Sequence, residues 1–495
     1  MTTLVEAKVL LGALSKKLTA QAEDVMKWRG YYDGVQPLKF ASPQWRGWFG
    51  DQYEGFSDNW CAPVVDATAE RMRWTGFRLY EEQLADKDLS RVMSINSADV
   101  ESGLAFTEAQ YGRRAFMVVW GNPDDQTTPL VTFESPTEMV VSYFPGSRRK
   151  ARAALKRWTD DGGLTHATLY TSDAIWKFTA TGTAGSSLIL PASLAGGWLS
   201  RQEQGDDTWP VPNPMGVVPV VEIANRTTLT GEPLSAISGV AAMQDAINLL
   251  WAYLFTASDF AALPQRIILG AQLPKIPVLD ESGQKIGERV IDLPEANIKR
   301  IMNLEGPDAK IDSWPAADLK GFLEVIGVMV GHVSNQTRTP AYYLMTGGTF
   351  SNVGGDGITA LDAPLNAKVK NLKDVNSSPM RDGARLICLA QNQPAKAAAM
   401  SAGSVLWADH EIRSDSQLAD SLTKYASIGF PFSWLAKQKI NDPDELAAVI
   451  DAYEAQRQDP YLAQMVAKST VAPTVQPMMS GAMANGAAPV PAVVG

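Results

Sequence analysis

The sequence is poor in the residues that most often bind transition metals. Only two cysteines, Cys61 and Cys388, and three histidines occur in 495 residues. The cysteines stand too far apart in the chain to suggest a disulfide framework or a four-ligand zinc site. The histidines His166, His332 and His410 lack the HExxH spacing of metalloenzymes. We therefore expect no metal and no cofactor, a reducing compartment, and a packing or surface role for His332.

Motifs of the common catalytic folds are also missing. The chain contains no Gly-x-Ser-x-Gly nucleophile elbow and no GxxxxGK[ST] phosphate-binding loop. Residues 355–360 fit a loose dinucleotide-binding pattern, but a glycine-rich stretch rather than a strand precedes them. The acidic pairs at 124–125, 160–161 and 206–207 stand in turn contexts, where Asp is favoured for backbone hydrogen bonding. These absences predict a protein that is not an enzyme.

An excess of positive charge is missing as well. The chain carries 44 Lys and Arg against 54 Asp and Glu, a net charge of −10. Proteins that bind nucleic acid tightly usually show a basic excess, because their affinity comes from phosphate neutralisation. One basic cluster remains, which is either a solvated strand-and-turn face or a patch facing DNA or a neighbouring subunit. Its members are Arg148, Arg149, Lys150, Arg152, Lys156 and Arg157.

Long apolar runs and targeting segments are absent from the sequence. The best membrane candidates, 236–263 and 322–333, are interrupted by polar and acidic residues or are too short to span a bilayer. The first residues show the spacing of an amphipathic helix instead of a signal peptide. One face of this predicted helix consists of Leu4, Ala7, Leu11, Leu14 and Leu18. We expect a soluble protein without an export signal.

The composition is that of a folded protein with a disordered end. Hydrophobic residues make up 45% of the chain and charged residues 20%, a usual balance for globular proteins. The length suggests about three domains. After Lys468 no charged residue occurs and four prolines follow, so 469–495 are predicted to be disordered.

The N-terminal half mixes helix and strand patterns. Helices are predicted from Cys61 to a stop at Gly76 and over 97–111. Strands are predicted over 115–120, 130–133, 139–144, 167–170 and 175–178, and a glycine-rich loop over 182–197.

The middle of the chain contains two long helical patterns. The first is predicted to start at a Ser235 cap and to end at Leu263 before Pro264. Short β-like pieces follow, with five prolines at positions 264, 274, 277, 294 and 307. The second helix is predicted between Pro315 and Pro340, and its apolar stripe comprises Leu319, Phe322, Leu323, Ile326, Val330 and Val333. Its glycines, Gly321, Gly327 and Gly331, each cost about 1 kcal/mol relative to Ala. This cost suggests that something packs very close to the helix.

The last third is predicted to be helical after a mobile loop. Five glycines fall within 345–357, which favours a loop over an element. A third long helix follows, with a kink expected at Pro364 and a break at Pro379. Shorter helices are predicted over 414–428, after a Ser433 cap, and from an Asp442–Pro443 start.

Eight short motifs occur in an order that is similar to one known family. From about residue 27 to residue 456 the chain resembles the portal, or head-to-tail connector, proteins of long-tailed double-stranded DNA bacteriophages. The motifs are WRGYYDG at 28–34 with PL at 37–38, NWCAPVVD at 59–66, TGF at 75–77, AQYG at 109–112, QDAIN at 244–248, TRTP at 337–340, DGI at 356–358 and APLNAK at 363–368.

The resemblance implies an α+β portal fold assembled as a cyclic ring of about twelve copies. The implied divisions are a mixed wing at 1–233, a first stem helix at 234–263, a β-containing clip at 264–315 and a second stem helix at 316–339. A tunnel loop at 340–357, a kinked long helix at 358–392, a helical crown at 393–468 and a disordered tail at 469–495 follow.

The resemblance also implies a function. The ring would be the channel at one capsid vertex through which double-stranded DNA is packaged and ejected, and it would nucleate capsid assembly. Its implied partners are the terminase large subunit, head-completion adaptors, and capsid and scaffold proteins. It would reside in the virion, and in the host cytoplasm during assembly. The channel-facing loop residues would be Thr349, Phe350, Ser351, Asn352 and Val353. Two alternatives stay open: an oligomeric virion or scaffold protein without a channel, and a nucleotide-binding enzyme built on 355–360.

Overall fold

The N-terminal helix α1 (Leu4–Tyr32) begins at a capping box. The Thr3 hydroxyl accepts a hydrogen bond from the Glu6 backbone N–H (3.3 Å), and the Glu6 carboxylate accepts one from the Thr3 N–H (2.8 Å). The predicted face of this helix is confirmed from Ala7 to Leu18, which are buried against a β-sheet, whereas Leu4 is exposed.

The computed structural model describes residues 2–38, 40–49, 55–183, 197–201, 208–262, 266–269, 275–279, 283–290, 301–304, 310–313, 318–344, 355–410, 415–440 and 443–458. The chain forms two compact units, Met1–Ile412 and Arg413–Gly495. Most of the predicted loop at 182–197 and the predicted tail at 469–495 lie outside the described residues.

Within its described residues, the first unit begins with five helices and twelve strands in a mixed α+β arrangement, as predicted. After α1 come α2 (Pro43–Phe49), α3 (Cys61–Ala69), α4 (Lys87–Ile95) and α5 (Ala98–Gly112). The strands are β1 (Trp74–Arg78), β2 (Arg114–Trp120), β3 (Leu130–Glu134), β4 (Met139–Tyr143), β5 (Ala151–Thr159), β6 (Leu164–Tyr170), β7 (Ala174–Thr183), β8 (Trp198–Ser200), β9 (Val211–Pro212), β10 (Val220–Ala224), β11 (Arg226–Thr227) and β12 (Pro233–Leu234).

Antiparallel pairing organises these strands. Strands β4 to β8 follow one another in a six-stranded sheet, in which β9 also pairs with β7, and β10, β2 and β3 form a three-stranded sheet. The five predicted strands are confirmed, several of them longer than predicted. Strand β5 carries part of the basic cluster.

The middle of the chain contains two long helices separated by short strands. Helix α6 (Ala241–Ala262) is followed by β13 (Arg266–Leu269), β14 (Lys275–Leu279), β15 (Lys285–Val290), β16 (Ile301–Leu304) and β17 (Lys310–Ser313), and then by α7 (Lys320–Thr337). Strand β13 lies between β16 and β17, while β14 and β15 form a hairpin. The predicted start of the first helix at Ser235 is wrong, because 236–240 form turns in which Ala236 N–H donates to the Gln110 carbonyl (2.8 Å).

A third long helix returns the chain to the N-terminal core. After the short α8 (Ala341–Leu344), α9 (Gly355–Ala390) runs through both Pro364 and Pro379. The predicted break at Pro379 is therefore wrong, and the kink at Pro364 stays a prediction. Helix α10 (Pro394–Ser401) and strand β18 (Ser404–Trp407) follow.

The pairing of strand β18 explains why the predicted end of the helix that starts at Cys61 is wrong. The strand pairs with β1, with Phe77 opposite Val405. The helix that starts at Cys61 consequently ends at Ala69 rather than at Gly76, because 74–78 belong to this two-stranded sheet. One hydrophobic core joins β1, α4, α5, β2 and the second half of α9.

The second unit consists, within its described residues, of α11 (Asp415–Ser427), α12 (Phe432–Ala436) and α13 (Pro443–Gln458). The rings of Phe432 and Tyr453 stack at 3.8 Å between centroids. The helix predicted over 414–428 and the start at Pro443 are confirmed. The predicted Ser433 cap is wrong, since α12 begins at Phe432 after Pro431.

Candidate functional site

The first part of α6 packs against the second half of α7. Ile326, Val330 and Val333 of α7 are buried in the same cluster as Ile247 of α6 and Tyr31 of α1. These three α7 residues belong to the stripe predicted from the sequence, whereas Leu323 of that stripe is exposed. The apolar contact therefore covers one side of α7.

A buried polar network fixes the first turns of α6. The Gln244 amide nitrogen donates to the Asp58 carbonyl (2.6 Å) and to Asn248 Oδ1 (3.0 Å), and its Oε1 accepts from the Trp60 backbone N–H (2.8 Å). Gln244 and Asn248 are each only 1% exposed. Every polar atom of the Gln244 amide thus has a partner, which is the condition for burying an amide without a large penalty.

Asp58 is the centre of this network. Its carboxylate Oδ2 accepts from the indole nitrogens of Trp251 (2.7 Å) and Trp60 (2.9 Å), and its backbone N–H donates to Asn248 Oδ1 (3.1 Å). Beside it, the Tyr31 hydroxyl donates to Asp245 Oδ2 (2.8 Å). Burial and the nearby Asp245 charge raise the pKa of the Cys61 thiol to about 12.

The network unites three motifs that lie far apart in the sequence. The stretches 28–34, 59–66 and 244–248 meet at the N-terminal end of α6. Sequence reasoning missed Asp58 and Ser57, whose hydroxyl accepts from the Asn248 amide (3.2 Å), and it treated Trp251 only as an apolar residue of the helix. The available signal was the polar group Gln244, Asp245 and Asn248 on an otherwise apolar helix.

No described residue of the chain packs on the outer side of α7 at its glycines. A Cβ at Gly321, Gly327 or Gly331 would meet no atom within 4 Å. Val325 and Val328 on the same helix are 50% and 61% exposed. The expectation that something packs close to these glycines is therefore not met by any described part of the same chain.

The C-terminal end of α7 is fastened to α9. Arg338 caps α7 with φ +57°, and the Ser334 hydroxyl donates to the Thr339 carbonyl (2.7 Å). Lys368 of α9 donates from Nζ to the Thr337 carbonyl (3.2 Å). Burial, together with the positive charges of Arg226 and Arg338, lowers the Lys368 pKa to about 8. The motifs at 337–340 and 363–368 are thereby brought together.

The predicted channel-facing residues Thr349, Phe350, Ser351, Asn352 and Val353 lie outside the described residues. The preceding helix α8 is well anchored. The hydroxyl of Tyr342 donates to Asp362 of α9, and Tyr343 accepts from Arg71 (2.7 Å). Leu344, the last residue of α8, is buried.

The basic cluster divides into two groups. Lys156 forms an ion pair with Glu134 (2.6 Å), and buried Arg157 donates to the Thr19 hydroxyl (3.1 Å). The other four cations are exposed on β5 and on the turn before it, at positions 148, 149, 150 and 152. The structure thus gives Lys156 and Arg157 internal partners.

Two of the predicted turn acids make turn hydrogen bonds. Asp125 accepts from the Thr127 N–H (2.8 Å) and hydroxyl (2.6 Å), which lowers the Asp125 pKa to about 2. Asp160 Oδ2 lies 2.8 Å from His166 Nε2, and Asp160 accepts from the Leu164 N–H. Positions 206–207 lie outside the described residues. Within the described part of the chain, no three His, Cys, Asp or Glu residues group as metal ligands, and no helix there is long and apolar enough to cross a bilayer.

Comparison with known proteins supports the family that the motifs suggest. The family model "Phage portal protein, SPP1 Gp6-like" matches residues 54–459. The portal protein of Mycobacterium phage L5 is 29% identical over 322 residues, which cover 62% of this chain and 60% of that protein. The portal protein of Mycobacterium phage D29 is 26% identical over 372 residues, which cover 73% of this chain and 70% of that protein. The match thus spans less than two thirds of the L5 protein, but the family model covers most of this chain. The chain belongs to the SPP1 Gp6-like family of phage portal proteins.

Proposed function

We propose that this chain is the subunit of a closed ring of about twelve copies that forms a double-stranded DNA channel at one capsid vertex. Within it, 1–233 serve as the wing, α6 and α7 as the stem, 264–315 as the clip, 340–357 as the tunnel loop and 393–468 as the crown. Family membership supports the role, and the α6–α7 pair supports the assignment of the stem.

The outer side of α7 is the observation that carries the ring. Three glycines inside a helix cost stability that the described part of the protomer does not recover by packing, since a Cβ at each would meet none of its atoms within 4 Å. Exposed Val325 and Val328 add apolar surface to the same helix. A neighbouring copy would cover this surface and use the small glycine profile for close approach. A ring supplies such a neighbour to every copy.

Weak binding to DNA follows from the charges of the proposed channel. Net charge is −10, and the loop residues Thr349, Phe350, Ser351, Asn352 and Val353 carry no charge. Neutral side chains touch a phosphate backbone without releasing counterions, so passage of DNA does not acquire the steep salt dependence of tight binding. The channel would let DNA slide in either direction.

The proposed ring is a conduit and a docking platform rather than an enzyme. The terminase large subunit would supply ATP hydrolysis during packaging, and head-completion adaptors would then close the channel. Capsid and scaffold proteins would assemble around the ring, first in the host cytoplasm and finally in the virion.

Electron microscopy and mass photometry of the purified protein test the proposal. The expected result is a closed ring of about a dozen subunits with a central hole and no ATP turnover. Closed discs without a hole would favour a virion scaffold protein. Monomers and dimers alone, across a wide range of protein concentrations, would contradict the ring.

A further inference from the structure

We propose that the outer side of α1 in one copy packs against the outer side of α5 in the next copy of the ring. This contact rests on the proposed ring and identifies a second interface, in the wing, beside the stem. The partner is another copy of this chain, presenting a different surface.

The first surface, which we call the α1 stripe, consists of Val5, Val9, Ala13 and Lys16, with Lys8 beside them. Spacings of four, four and three residues place the stripe on one side of the helix. Val5 and Val9 are 73% and 67% exposed, and Ala13, Lys8 and Lys16 are exposed as well. The opposite side of α1 is buried against the six-stranded sheet, so the stripe faces away from the protomer core.

The second surface, which we call the α5 stripe, consists of Val100 and Leu104 with Glu101 and Glu108 on one flank. Val100 and Leu104 are one turn apart and are 64% and 68% exposed. Both glutamates are half-buried, and they lie three residues before and four residues after Leu104.

Two further apolar side chains extend the α5 stripe. The Asn96 amide donates to the Pro129 carbonyl (2.9 Å), and its Oδ1 accepts from the Val131 N–H (3.0 Å). This clasp brings exposed Ile95 and Leu130 to the start of α5. The apolar area therefore exceeds the single scattered side chains that are normal on a surface.

The charges of the two stripes favour contact between an α1 stripe and an α5 stripe over contact between two identical stripes. The α1 stripe carries Lys8 and Lys16, while Glu6 next to it is engaged by the Thr3 cap. The α5 stripe carries Glu101 and Glu108, which are also hydrogen-bonded within the protomer: Glu101 accepts from the Phe133 N–H (3.4 Å) and Glu108 from the Ser135 hydroxyl (2.6 Å). Two α1 stripes meeting each other would oppose lysines, and two α5 stripes would oppose glutamates, so only the mixed pairing joins opposite charges over apolar centres. A contact between two different surfaces is heterologous, the kind that repeats around a ring.

Disulfide trapping tests this contact directly, because Cys61 and Cys388 are both buried and introduced cysteines would be the accessible thiols. Val5→Cys or Val9→Cys is combined with Val100→Cys or Leu104→Cys, giving four double variants that scan the register of the helices. Under mild oxidation at least one double variant is expected to give a ladder of covalent oligomers beyond the dimer. The matched control combines Val9→Cys with Leu229→Cys, a residue 88% exposed in the β11–β12 turn, and is expected to give no ladder.

The outcomes separate this inference from the ring itself. Rings seen by electron microscopy without a ladder in any double variant would overturn the contact and leave the ring standing. Covalent dimers from Val9→Cys alone would overturn it too, since they require two α1 stripes to meet. Absence of rings in the unmodified protein would overturn both proposals.

Charge exchange gives a second, independent measurement. Lys16→Glu is expected to raise the protein concentration at half-assembly by about twofold to fivefold, the usual range for one exposed charge pair. Glu101→Lys or Glu108→Lys is then added to Lys16→Glu, and at least one of these two double variants is expected to restore the original concentration. If both assemble worse than Lys16→Glu alone, the proposed pairing is contradicted.

Discussion

Gly331 of α7 is the position where folding and ring assembly make opposite demands. In the protomer, a side chain at this mid-helix position would project into open space. Alanine should therefore stabilise the protomer by about 1 kcal/mol through helix propensity, and leucine by nearly as much. In a ring whose neighbouring copy packs on this side of α7, extra methyl groups cost about 1–3 kcal/mol through overpacking. A larger side chain at position 331 is therefore expected to stabilise the folded protomer and to destabilise the ring.

We predict that Gly331→Ala raises the free energy of unfolding of dilute protomers by about 1 kcal/mol. We predict that Gly331→Leu raises the protein concentration at half-assembly by about fivefold to thirtyfold, which corresponds to 1–2 kcal/mol. Urea denaturation below the assembly concentration measures the first effect, and mass photometry over a dilution series measures the second.

Gly383 of α9 provides the matched control. A Cβ there would overlap the Met117 thioether inside the protomer, so Gly383→Ala is expected to destabilise folding whether or not rings form. If Gly331→Leu assembles at the same concentration as the unmodified protein, no neighbour packs on this side of α7. The ring proposal would then lose its principal structural support.

Three further predictions concern the polar network at the start of α6, the α7–α9 junction and the proposed loop. Asn248→Leu removes the acceptor for Gln244 and for the Asp58 N–H, so we expect about 2–5 kcal/mol lower stability by denaturant unfolding; a loss below about 1 kcal/mol would mean that the network is dispensable. The Lys368 pKa is about 8 in the fold against 10.5 normally, so between these values the folded chain binds fewer protons than the unfolded chain and stability rises with pH. Lys368→Met should flatten that rise, and an unchanged pH profile would contradict the assignment. Deleting 349–354 should leave rings intact but impair DNA packaging or retention, whereas full-length genomes and normal infectivity in assembled particles would refute the loop's role.

Local periodicity was sufficient for the packed side of α7. Ile326, Val330 and Val333 recur at helical spacing, and the contacts that bury them need only that spacing to be foreseen. The same holds for α1, where Ala7 to Leu18 form the buried side. These predictions succeeded because each rests on residues within a few turns of one another.

Predictions from local sequence patterns were wrong where hydrogen bonds join residues that lie far apart in the chain. Ser235 has the right type and position for a cap, but Ala236 N–H is engaged by the Gln110 carbonyl 126 residues earlier in the chain. Strand β18 forms only because β1 offers an edge from the other end of the first unit. Asp58 was overlooked because its partners on α6 lie about 190 residues away. Patterns read within a short window of sequence cannot reveal pairs of residues that lie this far apart in the chain.

The hydrogen-bond network at the N-terminal end of α6 has a mechanical consequence. Hydrogen bonds lose most of their energy when stretched by a fraction of their length, so the network around Asp58 resists sliding of α6 far more than an apolar contact of equal area would. Helix α6 is therefore held firmly at Gln244–Trp251, and the rest of the helix moves as a rigid rod when these residues rotate. From Asn248 to Ala262 it extends about 21 Å at 1.5 Å per residue, and a tilt of about 5° at these residues displaces its far end by about 2 Å. Small rotations of the residues that hold the start of α6 would therefore displace its far end by about a third of the rise of one helical turn.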